Sequence, residues 1–289
     1  MKYTPKALHE NVNISHSSTL WELLLLLGGI LGILVIVYIV LGFAVDFVVP
    51  RLPSGLEQHL GSLYASAFEA YPSTSAERAL QTLTDQIVKT ASLQSGQYKV
   101  HLIPASQANA LALPGGHIVV LSALLNELDS ENELAFILAH ELGHFVHRDH
   151  LRGLGRGLVL IAMSSLLFGL DNTLTNFLMQ SLLTIEMRFS QGQETQADLF
   201  ALETLNTQYG HIAGATGFFE KLAEEDRRSR LTYFFSTHPY PRDRIATLQQ
   251  HIREFGYAIE AEIPLNVQLH DIPEPPNQKN TTLRDILGF

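Results

Sequence analysis

Residues 23–45 read LLLLLGGILGILVIVYIVLGFAV, 23 positions without a charge, closed by Glu22 on one side and Asp46 on the other. A helix of that length, rising 1.5 Å per residue, crosses the roughly 30 Å hydrocarbon core of a bilayer. The run is long for a secretory signal, and no small-residue cleavage site follows it. None of its faces is polar, unlike a helix that packs one side on a domain. A membrane anchor is expected over residues 21–49, with a polar segment over 1–20. Lys2 and Lys6 precede the run and only Arg51 follows closely. The positive-inside rule then leaves the N-terminus in the cytoplasm and the remaining chain outside, in the periplasm, as a single-pass protein in contact with the lipid bilayer.

Beyond the anchor, PRLPSG at 50–55 punctuates the exit. Apolar residues recur at helical spacing through 56–71 and 76–93. Three extended segments follow, at 98–103, 109–113 and 117–121, the last two joined by a Pro-Gly-Gly turn that predicts a hairpin. Helical patterning resumes at Ser130 and holds to Glu254, and residues 256–289 read as a tail with a terminal docking segment at 282–289. The fold class is α+β, mainly helical, with a small β-sheet: one domain over 56–255 hung from one N-terminal transmembrane helix. A second apolar stretch, LVLIAMSSLLFGL at 158–170, is short for a span. It is read as a buried helix or one dipping into the membrane surface, with a re-entrant hairpin left open.

The net charge of −10 offers no basic field, so no nucleic acid is expected as partner. There is no cysteine, so any zinc must be held by histidine and carboxylate.

Those residue types concentrate in ILAHELGHFVHRDH at 137–150. On a helix, His140 and His144 stand one turn apart on one face, the spacing at which two imidazoles reach one ion at about 2.0–2.1 Å. Glu141 lies about 100° round the helix, placed beside such an ion as a general base. Two unpaired histidines and a glutamate in so apolar a helix would be costly unless a metal resolved the cost. His147, seven residues from His140, is out of reach on a straight helix. It is read with His150 as surface or supporting residues, and Arg148 and Asp149 as solvated. Further along, GQETQADLFALETL at 192–205 puts Glu194 and Asp198 on one helix face. Either this is an ordinary polar face, or Glu194 completes a two-histidine, one-glutamate site while Asp198 receives the remaining N–H of a ligand histidine.

HELGH at 140–144, ETQAD at 194–198 and STHPYPRDR at 236–244 occur in that order. Together they resemble the HtpX / CAAX-prenyl-protease family (Ste-type and Oma-type) of membrane-associated zinc metallopeptidases, across the whole of 56–255. The resemblance implies a gluzincin-type domain, one Zn2+ per chain on His140, His144 and Glu194, and Glu141 as catalytic base. It also places His238 and Arg244 near the site, as donors to the developing oxyanion. Arg244 is otherwise a structural ion pair, and His238 otherwise a resting-state ligand to the metal. NALALPGGHIVV at 109–120 matches the family's edge strand and hairpin. Asn109, Ala110, Leu111, Ala112 and Leu113 would then bind unfolded or extended polypeptide by its main chain. One anchor rather than several resembles the branch that serves quality control of envelope proteins. The expected function is a membrane-anchored zinc endopeptidase acting on extended or misfolded proteins. The rivals are a non-catalytic, zinc-stabilised chaperone-like scaffold and a multi-pass intramembrane enzyme.

Overall fold

The computed structural model describes residues 19–69, 71, 73–183, 189–217, 234, 237–239, 241–270 and 272. The expected polar segment, apart from its last two residues, and the docking segment at 282–289 lie outside these. The chain divides into two compact units, Met1–Ala44 and Val45–Phe289.

Helix α1 (Thr19–Val48) is the apolar run, and none of its residues is buried. Its 30 residues give a length of about 45 Å, enough to cross a hydrocarbon core with some to spare. A short 3-10 turn, Val49–Arg51, ends it.

The second unit opens with α2 (Ser54–Glu69) and α3 (Ser75–Thr90). Strands β1 (Lys99–Ile103), β2 (Ala110–Leu113) and β3 (His117–Leu121) form one sheet in the order β1-β3-β2. The β2–β3 hairpin is antiparallel, with Gly115 and Gly116 at positive φ in its turn. β1 pairs with β3 in parallel, a relation the sequence pattern does not announce. Alternate residues serve opposite faces, as period-two geometry requires. Val100, Leu102, Ala110, Ala112, Ile118 and Val120 join the main core, while Ile103, Leu111, Leu113, Val119 and Leu121 pack with Phe68 beneath. Polar side chains of α3 close the outer edge of β1: Glu77 accepts from the Leu102 amide, and Gln81 accepts from the Val100 amide.

A short α4 (Ser122–Leu125) leads to α5 (Glu131–Val146), the central helix. Ser130 caps its N-terminus by accepting from the Glu133 amide, and every residue from Asn132 to Phe145 is buried. Helices α6 (Asp149–Phe168) and α7 (Thr173–Leu183) form a hairpin. Contrary to the expectation of a buried helix, its apolar side chains face outward: Leu166 is 86% and Phe168 62% exposed. Helix α8 (Gln191–Tyr209) begins with a reciprocal Ser190–Gln193 cap and packs along α5. Helix α9 (Pro241–Phe255) packs on α8 in turn. The chain then returns to the start of α5, where the Ile263 carbonyl accepts from the Glu131 amide. Leu269, in the stretch read from sequence as tail, is buried in the main core.

Candidate metal centre

Helix α5 presents His140 and His144, and α8 presents Glu194 and Asp198. Gly143 lets the two helices meet. A Cβ there would stand 2.9 Å from Ala197 Cα and 3.2 Å from its carbonyl oxygen, so any larger residue would hold α8 off. Gly143 and Ala197 face each other between the histidines on one helix and the carboxylates on the other. His140, His144, Glu194 and His238 are all buried, and each offers one donor atom to a group that lies within 4.8 Å.

The donor atoms mark out a small polyhedron. His140 Nε2 lies 3.1 Å from His144 Nε2 and 3.3 Å from His238 Nδ1. Glu194 Oε1 lies 3.2 Å from His238 Nδ1 and 3.7 Å from His144 Nε2. A tetrahedral zinc with bonds of 2.0–2.1 Å has edges of about 3.4 Å, so these separations fit one ion. The outer nitrogens support the same reading. His140 Nδ1 sits 2.9 Å from Asp198 Oδ1, and His144 Nδ1 sits 3.0 Å from Asp149 Oδ2. A proton held on each Nδ1 leaves both Nε2 lone pairs directed at the same point, where they repel unless a cation lies between them.

Asp149 corrects the reading from sequence. It is fully buried rather than solvated, and its other oxygen accepts from Gln193 Nε2 at 2.8 Å. The cause is backbone. Arg148 adopts φ 55°, in the left-handed region, so the chain leaves α5 sharply and α6 starts back towards the metal helix. A continuous helix would have carried Asp149 away from His144. His150 is also buried, and it pairs with Glu57 at 2.8 Å rather than with the site. His147 stays off the donor set, with Nδ1 against the Gly143 carbonyl. Arg148 is not solvated either: Nη1 donates to the Val49 and Leu52 carbonyls at 3.0 and 2.7 Å.

Arg244, brought in by α9, is 1% exposed. Its Nε and Nη2 form a fork on Asp198 at 2.7 and 2.6 Å, and Nη1 lies 2.6 Å from Glu194 Oε2. Burial alone would weaken Glu194 and Asp198 as acids and raise their pKa. The charges beside them outweigh it: His238 and Arg244 hold Glu194, and Arg244 holds Asp198, below the ordinary carboxylate range. Burial also keeps His144 below the usual histidine value, favouring the neutral imidazole that ligates metals.

Glu141 is buried, and neither carboxylate oxygen has a hydrogen-bond partner among the described residues. His238 Nε2 approaches Oε1 at 3.5 Å. The ring of His144 is stacked on Phe189, and that of His238 on Phe234. Asn109 turns its amide to Thr237 Oγ1 at 3.3 Å, joining the start of β2 to the residue before His238. The side chains of Ala110, Leu111, Ala112 and Leu113 are buried.

Residues 74–252, which contain His140, Glu141, His144, Asp149, Glu194, Asp198, His238 and Arg244, match the family described as Peptidase family M48. The chain belongs to peptidase family M48. This bears out the resemblance found in the three motifs. Among curated M48 relatives, metalloprotease LoiP of Escherichia coli is 31% identical over 186 residues, 61% of this chain and 69% of its own length. The beta-barrel assembly-enhancing protease of Yersinia pestis is 29% identical over 184 residues, 58% of this chain and 37% of its own. The mitochondrial metalloendopeptidase OMA1 of Schizosaccharomyces pombe is 28% identical over 175 residues, 58% of this chain and 51% of its own. The chain thus spans about a third to two thirds of the length of these relatives.

Proposed function

We propose that this M48 chain is a membrane-anchored zinc-dependent endopeptidase of gluzincin type, acting on extended or misfolded polypeptide in envelope quality control. The observation that carries this is the convergence of His140, His144 and Glu194 beside a buried Glu141 whose carboxylate oxygens accept no hydrogen bond among the described residues. One Zn2+ held there would polarise the scissile carbonyl and make water nucleophilic at neutral pH. Glu141 takes the proton from the attacking water and delivers it to the leaving amine. Asp198 and Asp149 fix the ring orientations of His140 and His144. Arg244 holds Glu194 and Asp198 in place, and its engaged guanidinium suits that positioning role better than donation to an oxyanion.

β2 lies at the rim of the sheet, and no described strand pairs beyond it. An extended peptide added along Ala110–Leu113 would be read by backbone, with weak side-chain preference. Helix α1, with the lysines ahead of it, supports a single-pass protein with its N-terminus in the cytoplasm and this domain in the periplasm.

The position of His238 favours a second reading. Its Nδ1 completes a four-donor set, and closed four-ligand sets are typical of structural zinc, as in a non-catalytic scaffold. In the enzymatic reading the same contact is a resting form, from which His238 withdraws when substrate enters. Full-length protein in detergent, assayed on casein together with its zinc content, separates the two. Loss of hydrolysis in Glu141→Gln with zinc unchanged supports the peptidase. Zinc-loaded wild type and His238→Ala that both leave casein intact would establish the scaffold.

A further inference from the structure

Beyond Asp149 at its start, the outward-facing hairpin α6–α7 has no part in the proposed chemistry, and its surface is unlike that of a water-exposed element. Leu158, Leu166, Phe168, Leu170, Phe177 and Met179 are 47–86% exposed. Between Arg156 and Glu186 the sequence carries a single charge, Asp171. A contiguous apolar surface of this kind marks a contact, whereas isolated exposed leucines do not.

Its location identifies what it touches. Arg148 donates to the carbonyls of Val49 and Leu52. Two turns along α6, Arg156 Nη2 reaches both oxygens of Asp46 at 3.0 and 2.8 Å. Gly155 fits so closely that a Cβ would come within 2.7 Å of Val45 Cγ1. The start of α6 therefore lies against residues 45–52, the stretch that directly follows the apolar run in the sequence. The apolar part of α6 begins just after Gly155 and Arg156, which meet Val45 and Asp46 at the end of the apolar run. No charge pattern is present that would orient a protein partner instead.

The turn of the hairpin is also built for scarce water. Ser164 and Thr175 bond to each other at 2.7 Å between the helices, and both are buried. The Thr175 amide donates to Asn172 Oδ1, Asn172 Nδ2 donates to Thr175 Oγ1, and the Gly169 carbonyl accepts from Thr175. Internal pairing of this kind is what hydrocarbon demands of a polypeptide.

Length and charge set the depth. From residue 157 to 168, α6 rises about 18 Å, short of the roughly 30 Å needed to cross. An upright hairpin would also bury Asp171 in hydrocarbon, which is costly. Arg152 and Arg156 at one end and Asp171 at the other both remain at headgroup level if the hairpin lies on a slant. We infer that α6–α7 is a second membrane contact, embedded in one leaflet without crossing it.

The chain has no native cysteine, so single-cysteine variants at exposed sites report cleanly. Full-length Leu166→Cys, Phe168→Cys and Phe177→Cys, with Gln249→Cys on α9 as control, are labelled with an environment-sensitive fluorophore. They are then reconstituted in vesicles of phosphatidylethanolamine and phosphatidylglycerol. Nitroxide near the lipid headgroup should quench the three hairpin labels by about half, more strongly than nitroxide at the chain terminus, and leave position 249 nearly untouched. Labels quenched only by aqueous iodide would overturn the inference. So would labels that iodide reaches only from the opposite side of the bilayer, or energy transfer between chains without lipid quenching, which would make a second copy the occupant. The measurement does not depend on hydrolysis, so it stands or falls separately from the proposed activity.

Discussion

Asp149 Oδ2 lies 3.0 Å from His144 Nδ1, although only five residues separate them and the helix carrying His144 has ended in between. The carboxylate steadies the ring whose other nitrogen faces the metal position. Supporting carboxylates of this kind are worth about 10–100-fold in metal affinity. Asp149→Ala should therefore lower zinc affinity by about that factor in chelator competition, with Asp149→Glu recovering part of it. Unchanged affinity in Asp149→Ala would show that the contact is incidental.

Gly143 governs the approach of α5 and α8. Gly143→Ala places a methyl 2.9 Å from Ala197 Cα, where only backbone could give way. Overpacking of this kind costs about 1–3 kcal/mol. The expected result is a lower urea midpoint together with weaker zinc binding, because the helices bearing the two halves of the donor set are forced apart. A variant as stable as wild type, with normal zinc content, would contradict the account of the interface.

Arg244 compensates two buried carboxylates. Arg244→Leu leaves Asp198 and Glu194 without their guanidinium and should destabilise the fold by about 3–5 kcal/mol in urea titration. Arg244→Lys should not restore full stability, since an ammonium cannot reproduce the fork on Asp198. Equal stability of wild type and the lysine variant would remove the argument from geometry.

Away from the metal centre, burial pushes His101 down to about 4, with His117 and Lys99 adding to the effect. Its ring stacks on Phe68, and His101 Nε2 lies 2.9 Å from His117 Nδ1. The folded state binds this proton less readily than the unfolded chain, whose histidine titrates near 6.5. The stability is therefore complete above pH 6.5 and is lost as the pH falls towards 4. Urea midpoints at pH 7.5 and 5 should differ less in His101→Gln than in wild type. An identical difference in the two would rule out this pair as a source of acid sensitivity.

How legible each part was depended on how local its cause is. The metal helix and the Glu194 helix show in the sequence because ligand spacing and helical period coincide at i and i+4. The β2–β3 hairpin shows because Pro-Gly-Gly stands between two short extended segments. Asp149 did not, because its place depends on one left-handed residue, Arg148, of a type that seldom adopts that conformation. Residues 158–170 could be read as apolar, but hydrophobicity alone does not distinguish a helix inside a core from one outside it. The parallel pairing of β1 with β3 depends on a long-range crossover that no short window contains. His238 comes from a motif after α8, and only the resemblance of that motif placed it near the centre.

The guanidinium of Arg148 binds the carbonyls of Val49 and Leu52, and the next residue in the chain steadies a metal-facing histidine. A catalytic unit on a loose tether sweeps a volume set by the tether's length. Residues 49–52 give no such slack, because one side chain clamps them beside the end of the histidine-bearing helix, within a single compact unit. In the anchored peptidase proposed above, a stretch held in this way would add no reach beyond the unit that bears the site.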